Sequence, residues 1–173
     1  YINHGGSEFV VYRATPEDVE SGVRVGDKEY RGFPAKGAGI TTSEGRRHDD
    51  MERIMRSHRI DFIQLTYNPV DREAEQTLLP LARERGIAVI VNRPFQQGAL
   101  LRRLAREPLP AWAAEIGCRS WAQLVLKFIV SHQAVTCAIP ATSRVDHVRE
   151  NMAAATGALP DDAMRRRIAD AIG

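Results

Sequence analysis

Polar residues able to hold a ligand gather at the ends of short apolar runs. In Val135 to Ala155, VTCAIPATSRVDHVRENMAAA, the run up to Ile139 predicts a buried strand. Pro140 stops its ladder, and Ser143 with Asp146 three residues on predicts the capped start of a helix. A helix start offers backbone N–H groups and the positive end of a dipole, which suits a phosphate, and Arg144 and His147 stand beside it. The same residues would also make an ordinary strand–loop–helix junction with a good cap. Three other runs end in comparable chemistry: Thr41-Thr42, Gln64 with Tyr67, and Asn92-Arg93-Pro94-Phe95. Amide, hydroxyl and guanidinium groups hydrogen-bond a ligand without titrating. Such residues also finish strands and cap helices, but four polar ends converging on one face favour a ligand site.

The elements that must position these groups follow a repeating rhythm. Ala38 to Thr42 reads as a short buried strand, and His48 to His58 as a helix with Met51, Ile54 and Met55 at helical spacing. Asp61 to Tyr67 is the next strand. Asn68 predicts a helix cap with Pro69 at the first position, the helix running through Glu73 to Arg85, kinked or split at Pro80 and ended by Gly86. Ile87 to Val91 is a continuous apolar run, the mark of a strand covered on both faces. The connection over 96–119 contains short helical pieces around Leu100 to Arg106 and Ala111 to Ile116. Ser120 to His132 opens on a Ser120/Gln123 capping box and carries a core stripe of Trp121, Leu124, Val125, Phe128 and Ile129. Leu159-Pro160-Asp161 starts a last amphipathic helix through Met164, Ile168 and Ile172.

Strands alternating with helices imply parallel βαβ units. The fold class is therefore α/β, a partial (β/α)8 TIM barrel over residues 38–173 with a small N-terminal β segment. Four units are half of a barrel whose usual size is ~250 residues. A half-barrel has open sheet edges, so a homo-oligomer or pairing with a missing barrel half is expected. Residues 1–37 read as an arm or hairpin. Glu8 to Ala14 predicts a strand and Val23 to Tyr30 a hairpin about Gly26-Asp27. The KGAG run at Lys36 to Gly39 lacks the GK[ST] ending of a P-loop.

Composition narrows the function classes. Apolar residues make up 43% and charged residues 27% of the 173, ordinary for a globular domain, and a net charge of +2 implies neither nucleic acid nor an anionic membrane as partner. The basic clusters Arg46-Arg47, Arg102-Arg103 and Arg165-Arg166-Arg167 read as solvated helix faces. Cys118 and Cys137 sit in no metal or redox spacing and read as reduced packing residues of a cytoplasmic protein. The five histidines make no ligand motif, so no metal is expected. There is no apolar run of membrane-spanning length. The chain starts at Tyr1, so the lack of a leader says little.

From about Ala38 to the C-terminus the chain resembles the aldo-keto reductases. Ile139-Pro140-Ala141-Thr142-Ser143-Arg144, followed by Glu150-Asn151, is similar to that family's coenzyme signature, which holds the adenosine 2′-phosphate and adenine of NADPH. GITT, IQLTYN and VNRPF resemble its fifth-, sixth- and seventh-strand motifs, so the four strands correspond to strands 5 to 8. The resemblance implies NADP(H) as cofactor and a small-molecule carbonyl substrate. Thr41, Thr42 and Gln64 would hold the nicotinamide carboxamide, although the family more often has Ser and Asn at the first two positions. Asn92 stands where an aromatic residue usually stacks on the nicotinamide. Arg93 and Phe95 would lie by the pyrophosphate. Ala141 replaces the cation that usually follows the proline, leaving Arg144 and His147, beside Thr142 and Ser143, for the 2′-phosphate. Glu150 and Asn151 match the adenine pair. The family's catalytic Tyr, Lys, Asp and His belong to its first four strands, and none of their motifs is found here, so no catalytic residue is assigned. Two functions follow: half of an NADP(H)-dependent carbonyl reductase, or a non-catalytic nucleotide-binding or oligomerisation module derived from one.

Overall fold

Apolar alternation along the strands decides what faces the helices and what faces the open side of the sheet. The computed structural model describes residues 22–25, 28–31, 39–41 and 47–173. The expected strand at Glu8 to Ala14, the Gly26-Asp27 turn and Thr42 lie outside the described residues. Gly22–Val25 (β1) and Lys28–Arg31 (β2) pair antiparallel with Val23 opposite Tyr30, as the hairpin pattern predicts.

The main sheet contains four parallel strands in chain order: Gly39–Thr41 (β3), Phe62–Thr66 (β4), Ala88–Asn92 (β5) and Cys137–Ala138 (β6). Six helices follow or cover them: His48–Ser57 (α1), Leu78–Arg85 (α2), Ala99–Leu104 (α3), Trp121–Val130 (α4), Val145–Ala153 (α5) and Asp162–Ile172 (α6). This is the repeated βα unit of a parallel barrel. Ile63, Leu65, Val89 and Val91 have no exposed surface and pack in one core with Met55 of α1, Leu78 and Leu79 of α2, Leu124, Phe128 and Ile129 of α4, and Ile168 of α6. Each such side chain contributes roughly 1.5–3 kcal/mol by leaving water. The core therefore rests on β4, β5 and α4.

The edge strands differ from expectation. In β3 Gly39 and Thr41 are exposed and Ile40 is half-buried; in β6 Cys137 is exposed and Ala138 half-buried. Neither strand is buried, because among the described residues each pairs with a single neighbour, β3 with β4 and β6 with β5. Cys137 is accordingly not a packing residue, whereas Cys118 is buried. Flanking bonds from Thr136 N–H to the Val89 carbonyl and from Ile139 N–H to the Val91 carbonyl, both 2.9 Å, carry the β6 ladder a residue further each way.

Several helix boundaries move for local reasons. Asn68 does not cap a helix. It is fully buried, its Oδ1 accepts from the Val70 and Asp71 N–H groups at 2.9 Å, and its Nδ2 donates to Asp71 Oδ2 at 2.7 Å. This Asx turn delays the helix: Glu73–Glu75 makes one 3-10 turn, and α2 begins at Leu78. Pro80 is thus the third residue of α2, where no intrahelical N–H bond is lost. Gly86 closes α2 with φ 67°. Ser120 caps α4 by accepting from Gln123 N–H, but Gln123 Oε1 returns to the Arg119 N–H, one residue before the usual closure. Ser143 does not cap α5. Thr142 Oγ1 takes the Arg144 N–H at 3.2 Å, and Arg144 becomes the boundary residue with no side-chain cap. Asp161 caps α6, accepting from Met164 N–H at 2.8 Å.

Arg165 is not a solvated residue. It is 9% exposed, its guanidinium lies 4.3 Å from the Phe128 ring centre, and it donates to the Phe128 carbonyl, Ser131 Oγ, the Tyr67 hydroxyl and Glu75 Oε1. Among the described residues, no helix is long and apolar enough to cross a membrane.

Candidate functional site

The C-terminal ends of parallel strands are where loops of a barrel assemble a site. In register, Thr41 stands beside Gln64 and Thr66 beside Asn92. All four lie on the face opposite Ile63, Leu65 and Val91, because side chains alternate along a strand. Thr66 Oγ1 donates to Asn92 Oδ1 at 2.8 Å, fastening an 8% exposed Asn92. Tyr67 turns the other way and leaves the ligand face. It is fully buried, donates to Glu75 and accepts from Arg165. Burial first, and the Glu75 bond second, push its hydroxyl far above the usual phenol range.

The loop after β5 is the most constrained part of the site. Arg93, Gln96 and Gln97 hold φ at 45°, 50° and 55°, and Gly98 follows at 85°. A non-glycine residue in the left-handed region costs of order 1 kcal/mol, and such residues concentrate at functional loops. The conformation is held by local bonds: Gln96 N–H to the Arg93 carbonyl at 3.0 Å, Gly98 N–H to the Phe95 carbonyl at 2.9 Å, and Gln96 Nε2 to Asp71 Oδ2 at 2.9 Å.

A cleft of about 440 Å³ lies between this loop, the β6 end and α5. Its floor is apolar: Pro94, Phe95, Leu101, Ala122, Ile139 and Pro140. Its rim is polar: Arg93, Gln97, Thr142, His147, Glu150 and Asn151. The volume and the apolar floor with few polar groups suit a small organic ligand. Arg93 and Gln97 also line a second hollow of about 240 Å³ with His48, Thr66, Asp71, Glu73 and Gln96, so the two spaces meet across the β5 loop.

Of the residues read from the sequence, Arg93, Phe95, Thr142, His147, Glu150 and Asn151 come together around the cleft. Thr41, Gln64 and Asn92 sit on the adjoining sheet face without lining it. Ser143 and Arg144 are exposed and do not line it. Arg144 is engaged: Nε donates to Asp146 Oδ1 at 3.0 Å and Nη2 to Oδ2 at 2.5 Å. The guanidinium holds the Asp146 carboxyl well below the usual carboxylate range. Thr142 Oγ1 also lies 3.3 Å from His147 Nδ1. Gln97, Leu101 and Ala122, and in the second hollow His48, Thr66, Asp71, Glu73 and Gln96, were not anticipated. Gly98 and the Gln-Gln pair before it mark a tight loop, but glutamine carries no signal for positive φ.

A family model described as "Aldo/keto reductase family" matches residues 36–169. The NADH-specific methylglyoxal reductase of Escherichia coli (strain K12) is 37% identical over 65 residues, 38% of this chain and 20% of that protein. The uncharacterized oxidoreductase C215.11c of Schizosaccharomyces pombe is 32% identical over 107 residues, 62% of this chain and 34% of that protein. Among solved structures, the holo form of aldo-keto reductase AKR11C1 from Bacillus halodurans superposes with a TM-score of 0.60 at 24% identity, over 78% of this chain and 49% of that one. An aldo/keto reductase from Klebsiella pneumoniae in complex with NADP and acetate gives 0.62 at 21%, over 78% and 47%. The chain thus spans about half the length of these structures, and a fifth to a third of the curated relatives.

Proposed function

This chain belongs to the aldo/keto reductase family, and we propose that it provides the NADP(H)-binding half of a carbonyl reductase. The observation that carries the reading is the cleft, which gathers residues of the seventh- and eighth-strand motifs on one polar rim over an apolar floor. On this reading Thr41, Thr42 and Gln64 hold the carboxamide end, Arg93 and Phe95 flank the pyrophosphate, and Glu150 and Asn151 face the adenine. Thr142, Ser143, Arg144 and His147 receive the 2′-phosphate. The pair between Arg144 and Asp146 does not bar a phosphate. Both side chains are 60% or more exposed, and a solvated pair of this kind is weak enough to be displaced. When bound, the coenzyme supplies a hydride to a carbonyl carbon.

The protein must still deliver a proton to the carbonyl oxygen. Among the described residues no tyrosine or lysine lines the cleft or the hollow. Tyr67 is held on the opposite side of the sheet with its hydroxyl engaged. General acid catalysis needs a donor within hydrogen-bond reach. We therefore place that donor on another barrel half, pairing along the edges of β3 and β6. The same observation favours a second reading, in which the chain binds nucleotide or assembles without catalysis.

NADPH oxidation with methylglyoxal, a small dicarbonyl, separates the two. The first reading predicts no turnover by the chain alone and turnover after addition of a polypeptide carrying the family's first four strands. Coenzyme binding with no turnover in either mixture selects the non-catalytic module.

A further inference from the structure

Helix α5 stands beside the cleft with little apolar footing: only its boundary residue Ala154 reaches the core. None of its residues is buried, and its apolar side chains are outward: Val145 and Met152 keep 66% of their surface exposed and Val148 38%. A surface helix ordinarily holds its place through an apolar stripe facing the core. Here polar groups of α4 take over. Gln123, 9% exposed, donates through Nε2 to the Glu150 carbonyl at 3.3 Å, while its Oε1 is fixed by the Arg119 N–H at 2.8 Å. One turn along, Lys127 is 1% exposed, and its Nζ donates to the carbonyls of Thr156 and Ala158, both at 2.7 Å, in the segment that leaves α5. A lysine is almost never fully buried without partners; these two carbonyls satisfy its ammonium and tie down the exit of the helix.

The helix held in this way is the wall that brings His147, Glu150 and Asn151 to the cleft. We infer that Gln123 and Lys127 are positioning residues for the coenzyme: without touching it, they set where the adenine-side wall stands. The inference rests on the coenzyme reading above. It also explains why a helix otherwise made of core residues carries two buried polar side chains one turn apart on the side facing α5.

The test compares the unaltered chain with Lys127→Met, which keeps an unbranched chain one atom shorter and removes its donors, and with Gln123→Met. Adenosine 2′,5′-bisphosphate and nicotinamide mononucleotide serve as probes of the two ends of the cleft. Amide hydrogen exchange is followed across 145–153 without ligand. Loss of one such bond is expected to weaken the adenosine probe about fivefold to tenfold. The nicotinamide probe should be unaffected, and α5 should exchange faster while 121–130 keeps its protection. Equal weakening of both probes, or an unchanged adenosine probe beside faster exchange, overturns the proposal. If the unaltered chain binds neither probe, the coenzyme reading falls; the exchange data then judge the tether alone, and unchanged exchange in both variants overturns that too. Should Lys127→Met fail to fold, Gln123→Met carries the comparison.

Discussion

His132 shows how one half-buried side chain imposes a pH dependence on folding. It sits edge-on to Tyr67 with ring centres 5.7 Å apart, and its Nδ1 accepts from the Ala134 N–H at 3.2 Å. Burial first, and the Arg165 guanidinium second, lower its proton affinity from the ordinary value of 6.5; Arg83 acts in the same direction, and Glu75 and Asp162 oppose. The folded-state value is depressed, so the stability it contributes is present above about pH 6.5. That stability is lost as pH falls from about 6.5 toward the folded value, because over that interval the unfolded chain takes up a proton that the native state refuses. The urea midpoint should therefore drop between pH 6.5 and 5, and His132→Asn, which keeps a polar acceptor, should make that drop shallower. An identical slope in the variant would show that other groups cause it. The Arg165 cluster around this histidine was partly legible. Positions 165, 168, 169 and 172 fall on one helical face, so Arg165 belongs with Ile168 and Ile172 rather than with its arginine neighbours. Charge type masked that periodicity, and nothing in the sequence pairs it with Tyr67 and Glu75, which are distant along the chain.

At the scale of elements, strong periodicity was readable and competition between neighbours was not. The stripe of α4 and the apolar run of β5 each state one answer, and both elements form where expected. Asn68 and Ser143 are good caps in isolation. Each is overruled by a neighbour, Asp71 or Thr142, that completes a turn first. The β5 loop is the clearest case of structure beyond the reach of local propensity, since Gln96 and Gln97 hold positive φ with no glycine at either position. Gln97 has φ 55° and ψ 32°, which glycine adopts without steric cost. Gln97→Gly should leave stability within about 1 kcal/mol of the unaltered chain, relief of strain offsetting the added backbone freedom. It should nevertheless weaken coenzyme binding, because the loop loses its fixed shape and one rim amide. Thermal melting and a binding titration check the two halves; unchanged affinity would mean the strained loop serves packing alone.

For the whole molecule, the count and order of βα units were visible in the chain, and the state of the sheet's edges was not. Alternation reports which face of a strand is buried against helices. It carries no information on which strand, or which chain, pairs with β3 and β6. That the residues after β6 gather at one cleft was legible because they are near one another in the chain and meet the β5 loop across a single strand pairing. The strand ends proposed for the nicotinamide are less fully described: Thr42 lies outside the described residues, and Asn92 is tied to Thr66. The central claim, that these four strands and their loops form a coenzyme cleft, is tested most directly by calorimetric titration of NADPH, with NADH and the Arg144→Ala variant as comparisons. The account predicts micromolar binding, tighter for NADPH, with Arg144→Ala weakening NADPH several-fold and leaving NADH nearly unchanged, since a charge-assisted contact contributes about 1–2 kcal/mol. No binding of either dinucleotide would contradict it.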